Sequence, residues 1–104
     1  MQPPSSVLDS AKVLEYAIVD DSVKYTGALH LYHGDARVGP SPALAICQDS
    51  EVDGLFLFHC SEEWVVLGAQ IWNEAPDSTI RKVQEVKEKA ERYYAGIGRR
   101  WVRP

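Results

Sequence analysis

The stretch from Ile80 to Tyr94 constrains the fold more than any other part of the sequence. Ile80, Val83, Val86, Ala90 and the Tyr93–Tyr94 pair recur every three or four residues, with charged residues on the opposite side, the pattern of an amphipathic helix. Asp77 or Ser78 can cap its start, and Glu85–Lys89 and Glu88–Arg92 stand four apart in the favourable order. Gly96 follows where a left-handed residue commonly ends a helix. The spacing predicts a helix over 77–95. One helix cannot bury its own stripe, so the rest of the chain has to supply an apolar surface.

That remainder reads as short strands. Ala11 to Val19 suggests a first strand from about residue 12, running into the turn Asp20-Asp21-Ser22. A helix competes there, because Val7, Leu8, Ala11, Leu14 and Ile18 fall at near-helical spacing behind Ser6 and Asp9. Val23, Tyr25, Leu29 and Leu31 alternate with Lys24, Thr26, His30 and Tyr32, which predicts a half-buried second strand interrupted at Gly27. Residues 34–42 carry two glycines and two prolines and read as a loop. Ala43–Cys47, Leu55–Cys60 and Trp64–Trp72 complete the set, linked by the acidic stretch Gln48–Gly54 and the turn Ser61-Glu62-Glu63. Such short links favour an antiparallel meander.

The expected fold is therefore α+β: a roughly five-stranded, mainly antiparallel sheet with the C-terminal helix packed on one face. A chain of 104 residues suits a single domain over 1–104. Residues 1–10 read as a flexible tail, and 96–104 as a basic tail carrying Trp101.

No apolar run approaches the roughly 20 residues of a membrane helix, and Met-Gln-Pro-Pro-Ser-Ser does not start like a signal peptide. A cytoplasmic protein is expected, with Cys47 and Cys60 as free thiols. The net charge of −4 is unevenly spread: residues 1–76 hold eleven acids and three bases, residues 77–104 four acids and eight bases. An acidic body attracts a basic partner. The competing reading is that the two parts neutralise each other.

Chemical motifs are sparse. Asp49-Ser50-Glu51-Val52-Asp53-Gly54 imitates half of a calcium loop, but its twelfth position is Cys60 rather than glutamate and its flanks read as strands, which favours an acidic hairpin. His30, His33, Cys47, His59 and Cys60 are the available soft ligands, yet neither Cys-x-x-Cys nor His-x3-His occurs. No metal and no cofactor is expected. Cys60 with a histidine could form a nucleophilic pair, but no nucleophile motif surrounds it. Arg99, Arg100 and Arg103 around Trp101 suit phosphates and a stacked base; the acidic body argues against nucleic acid and for Trp101 folding back onto the core. Trp64 and Trp72, eight apart, should share one side of their strand, with Val65, Leu67, Ala69 and Ile71 on the other as core. The two tryptophans would then lie on the face the helix leaves open, where aromatic residues serve as binding hot spots.

Tyr25-Thr26-Gly27, Leu29-His30-Leu31, Gly39-Pro40, Leu44-Ala45-Ile46-Cys47, Leu57-Phe58-His59-Cys60, Trp64 and Tyr94-Ala95-Gly96-Ile97 ending in Trp101 stand in an order that resembles a group of small bacterial proteins. The resemblance covers about residues 12–102. It implies the sheet-then-helix fold and brings no catalytic mechanism. Small acidic α+β proteins of this build also look like immunity proteins, which neutralise toxins.

These readings together predict a non-catalytic protein-interaction domain. Glu62, Glu63, Trp64 and Trp72 would face a basic protein partner, and Trp64 would be dispensable for stability. The alternative is a small-molecule or metal-binding domain, with enzymatic activity around His59 and Cys60. A homodimer through an exposed sheet face or edge is compatible with both.

Overall fold

The computed structural model describes residues 1–49, 54–72 and 79–104, with side chains from 82 onward in the last segment. The strands are β1 (Val7–Leu8), β2 (Ala11–Ile18), β3 (Lys24–Tyr25), β4 (Tyr32–His33), β5 (Ala36–Arg37), β6 (Ala43–Asp49), β7 (Leu55–Cys60), β8 (Val66–Trp72) and β9 (Tyr94–Ala95). The helix α1 spans Thr79–Tyr93, and a 3-10 turn follows at Ile97–Arg99. One five-stranded antiparallel sheet, in the order β1-β2-β6-β7-β8, carries the fold, with α1 against one of its faces. The chain is an α+β protein, as its patterning predicts. Both the N-cap at Asp77 or Ser78 and the middle of the acidic calcium-like loop lie outside the described residues.

Strict alternation along β6 and β7 builds two cores. Leu44, Ile46, Leu55 and Leu57 point to the helix side, where they meet Val86, Ala90, Tyr93, Tyr94 and Ile97. Ala43, Ala45, Cys47, Phe58 and Cys60 point to the other side and join Leu8, Ala11 and Val13. Each fully buried Leu or Ile contributes roughly 1.5–3 kcal/mol relative to exposure. The Lys87 Nζ–Glu15 Oε1 pair, 2.8 Å and largely sheltered, ties α1 to β2.

The second expected strand, Val23–Tyr32, is corrected. Lys24–Tyr25 pairs with Tyr94–Ala95 rather than with the sheet, and Tyr32, at the far end, belongs to the separate strand β4. Gly27 turns the chain with φ of 77°. Thr26 instead serves the end of the helix: its N–H donates to Tyr93 O at 2.9 Å and its hydroxyl to Arg92 O at 2.6 Å. The Arg37 guanidinium then holds the irregular stretch by donating to Gly27 O and Leu29 O. Val23 and Leu29 are still buried, so the alternation marks burial without marking a strand. The loop expected over 34–42 also needs correction, because Tyr32–His33 and Ala36–Arg37 pair as a small hairpin around Gly34-Asp35.

The tail expected over 1–10 is likewise built into the fold. Leu8 is buried, β1 pairs with β2, and Ser6 O accepts the Val13 N–H at 2.9 Å. At the other end, Val102 and Tyr16 exchange both backbone hydrogen bonds (2.8 and 2.9 Å), and Trp101 packs on the helix-side core. Gly96 is left-handed, as expected of a helix end, but lies three residues beyond Tyr93. Its N–H and that of Gly98 donate to the Glu91 carboxylate at 2.6 and 2.9 Å.

Candidate functional site

The turn between β7 and β8 is closed by one serine. Ser61 N donates to Val65 O, Ser61 O accepts from Trp64 N at 3.0 Å, and Ser61 Oγ accepts from the N–H groups of Glu63 and Val65. This winding leaves Trp64 with φ of 63°, in the left-handed region that bulky residues rarely occupy. Its ring is thereby turned onto the second core cluster, edge-on to Tyr16 at 5.7 Å and 85°, and its Nε1 donates to Gln2 O at 2.8 Å.

The result is an open groove of about 570 Å³ between the N-terminal segment and the turn. Gln2, Ser5, Leu8, Glu62, Glu63 and Trp64 line it. Glu62 and Glu63 are exposed, Trp64 partly so. Three of the four residues singled out from the sequence therefore share one concavity. Gln2, Ser5 and Leu8 were missed, since a short Pro-containing N-terminus gives no sign of where it docks.

Trp72 lies elsewhere, and the face assignment behind its choice is corrected. It opposes Leu55 and packs on the helix-side core, whereas Trp64 packs on the opposite side of the sheet. Counting parity from 64 to 72 fails for two reasons. The left-handed Trp64 is not extended, and the pairing slips by one residue where Cys60 opposes Val66 but His59 opposes Gly68. Gly68, Gln70 and Trp72 thus take the helix side. Val65, Leu67 and Ile71, expected as core, are 58%, 38% and 56% exposed.

His59 and Cys60 point to opposite faces of β7, both fully buried. Burial pushes the Cys60 thiol up to about 12 and that of Cys47, with Cys60 nearby, also up to about 12. A thiol so protonated is a poor nucleophile. His59 Nε2 lies 3.1 Å from Gln70 Oε1, and Gln70 Nε2 donates to Tyr93 Oη at 3.0 Å. That direction makes Nε2 of His59 the donor, and burial, which disfavours the charged ring, holds its pKa below the usual range. His59 Nδ1 has no hydrogen-bond partner among the described residues. His30 and His33 are exposed on the loop and hairpin, and no three His, Cys, Asp or Glu side chains among the described residues gather as a metal site.

The basic C-terminal segment is drawn onto the body in part: Arg100 reaches Asp20 at 3.3 Å and donates to Ser22 Oγ. Hydrogen bonds from Ser22, with Arg100 nearby, hold the Asp20 carboxyl below its ordinary value. No helix among the described residues is long and apolar enough to cross a membrane. Comparison with known proteins finds no match: no family model, no curated protein and no solved structure is similar to this chain.

Proposed function

We propose that this chain is a non-catalytic, cytoplasmic protein-interaction domain that receives a basic partner in the groove beside the Ser61–Val65 turn. What supports this reading is the convergence of Glu62, Glu63 and a fixed Trp64 on one open groove. The groove belongs to a chain whose first 76 residues carry eleven acids against three bases. Tyr16 and Gln2 hold the Trp64 ring before any partner arrives, so little side-chain entropy remains to be lost on binding. The two carboxylates steer and orient a positive partner, while the aromatic wall supplies the buried contact. A basic toxin or enzyme domain held by an immunity-like protein is the partner class that such a surface fits. Trp72, packed on the core, is left out of the proposed surface.

A tagged pull-down from native-host lysate, washed at low and at high salt, tests this. The expected result is one near-stoichiometric basic protein, retained at low salt, lost at high salt, and absent with the Glu62→Lys/Glu63→Lys variant. A partner captured equally by the variant would place the contact away from the groove.

A further inference from the structure

Strand β8 ends the sheet, and no described residue pairs its backbone with the outer side of that strand. The opposite edge differs, since β1 and Val102 both pair with parts of β2. Exposed edges are usually protected by charge, proline, a bulge or a covering element. Here the slip opposite His59–Cys60 is one such device, and the β4–β5 hairpin approaches β8 on its helix side, where Leu31 and Val38 pack against Gly68. Leu67, Ala69 and Ile71 on the other face stay exposed, and no charged residue and no proline occurs from Trp64 to Trp72. On a chain of net charge −4, this uncharged strip is where two copies can approach without opposing like charges.

We propose that β8 pairs with β8 of a second copy, antiparallel about a two-fold axis at Ala69, joining two sheets into one of ten strands. The sequence is self-complementary in that register. Ala69 opposes Ala69, and Leu67, exposed on one copy, opposes the exposed Ile71 of the other, twice over. Opposed residues of antiparallel strands project from the same face. The two apolar pairs therefore close over the side of the sheet away from the helix. A seven-residue strand is about 23 Å long. Seven paired residues and two apolar pairs place the contact at the small end of interfaces, that of weak, reversible complexes. The inference goes beyond the groove reading and does not depend on it.

Sedimentation velocity across a concentration series tests the proposal, with Leu67→Lys, Ile71→Glu and the double variant. A monomer–dimer equilibrium is expected for the wild type, at least tenfold weakened in each single variant. It is restored in the double variant, where each Lys opposes a Glu of the other copy. Both positions are exposed, and unchanged melting temperatures check that the variants fold. Ala69→Cys supplies a second readout, since mild oxidation should link it to itself as a disulfide dimer while the buried Cys47 and Cys60 stay reduced. A protein monomeric at every concentration overturns the proposal. A dimer that survives both single variants, or one that the double variant does not restore, does the same.

Discussion

Replacing Trp64 by alanine should destabilise this protein strongly, against the sequence-based expectation that the residue is a dispensable surface aromatic. The ring packs on the cluster of Leu8, Val13, Phe58 and Cys60, and meets Tyr16 edge-on at 5.7 Å. Truncating a fully buried tryptophan costs about 3–5 kcal/mol. A ring that keeps part of its surface in water forfeits roughly half of that, about 2 kcal/mol, and the lost aromatic pair adds about 0.5–1 kcal/mol. The Nε1 hydrogen bond to Gln2 O lies at an exposed end, where water replaces it at little cost. Alanine inherits the same left-handed backbone, so that strain cancels. The sum is about 2–3 kcal/mol, and each kcal/mol moves the melting temperature of a domain this size by about 4–8 °C. Thermal melts followed by circular dichroism should show a drop of about 10–20 °C, with Trp64→Phe recovering most of it. A Trp64→Ala protein melting within a few degrees of wild type would refute the packing described here. The consequence for function is practical: Trp64→Ala confounds binding with stability, and charge reversal at Glu62 and Glu63 does not.

Three further outcomes follow from the buried polar groups. Tyr94 is fully buried and its Oη accepts the Ser41 N–H at 3.0 Å, so Tyr94→Phe strands that donor and should cost about 1–3 kcal/mol in urea unfolding; a change below about 0.5 kcal/mol would deny the bond any weight. His59 has a folded-state pKa below its unfolded value of about 6.5, so the unfolded chain takes up the proton first. Its stabilising contribution is complete above about pH 6.5 and falls as pH drops, by up to about 1.4 kcal/mol per unit until the folded-state pKa is reached. His59→Leu should flatten stability between about pH 6.5 and 5, and an unchanged slope would remove His59 from the account. Cys47 and Cys60, buried with thiols near 12, should resist a thiol reagent in the native protein and react in urea; rapid native labelling of either would contradict their burial.

Much of the fold was legible because its central strands and its helix carry one signal each. In β6, Ala and Cys alternate with Leu and Ile, and the short acidic link to β7 fixes an antiparallel neighbour. The α1 stripe of Val86, Ala90 and Tyr93 is buried as its spacing requires. The errors arose where backbone geometry breaks a regular count. Gly27 ends the extended run that Val23–Tyr32 promised, and the freed Thr26 caps the helix instead. Trp64 and the slip at Leu67 reverse which face of β8 meets the helix, something no period-2 count can register. The groove was half legible: Glu62, Glu63 and Trp64 adjoin in sequence, but their neighbours Gln2, Ser5 and Leu8 lie more than fifty residues away along the chain.

The central claim, that the acidic groove receives a basic partner, is tested most directly by the salt dependence of binding of the captured partner to wild type and to the Glu62→Lys/Glu63→Lys variant. Isothermal titration at several ionic strengths measures both affinity and slope. The groove reading predicts at least tenfold weaker binding by the variant at low salt, equivalent to about 1.4 kcal/mol, and a shallower loss of affinity as salt rises. Equal affinity and an equal slope in the two proteins would contradict it.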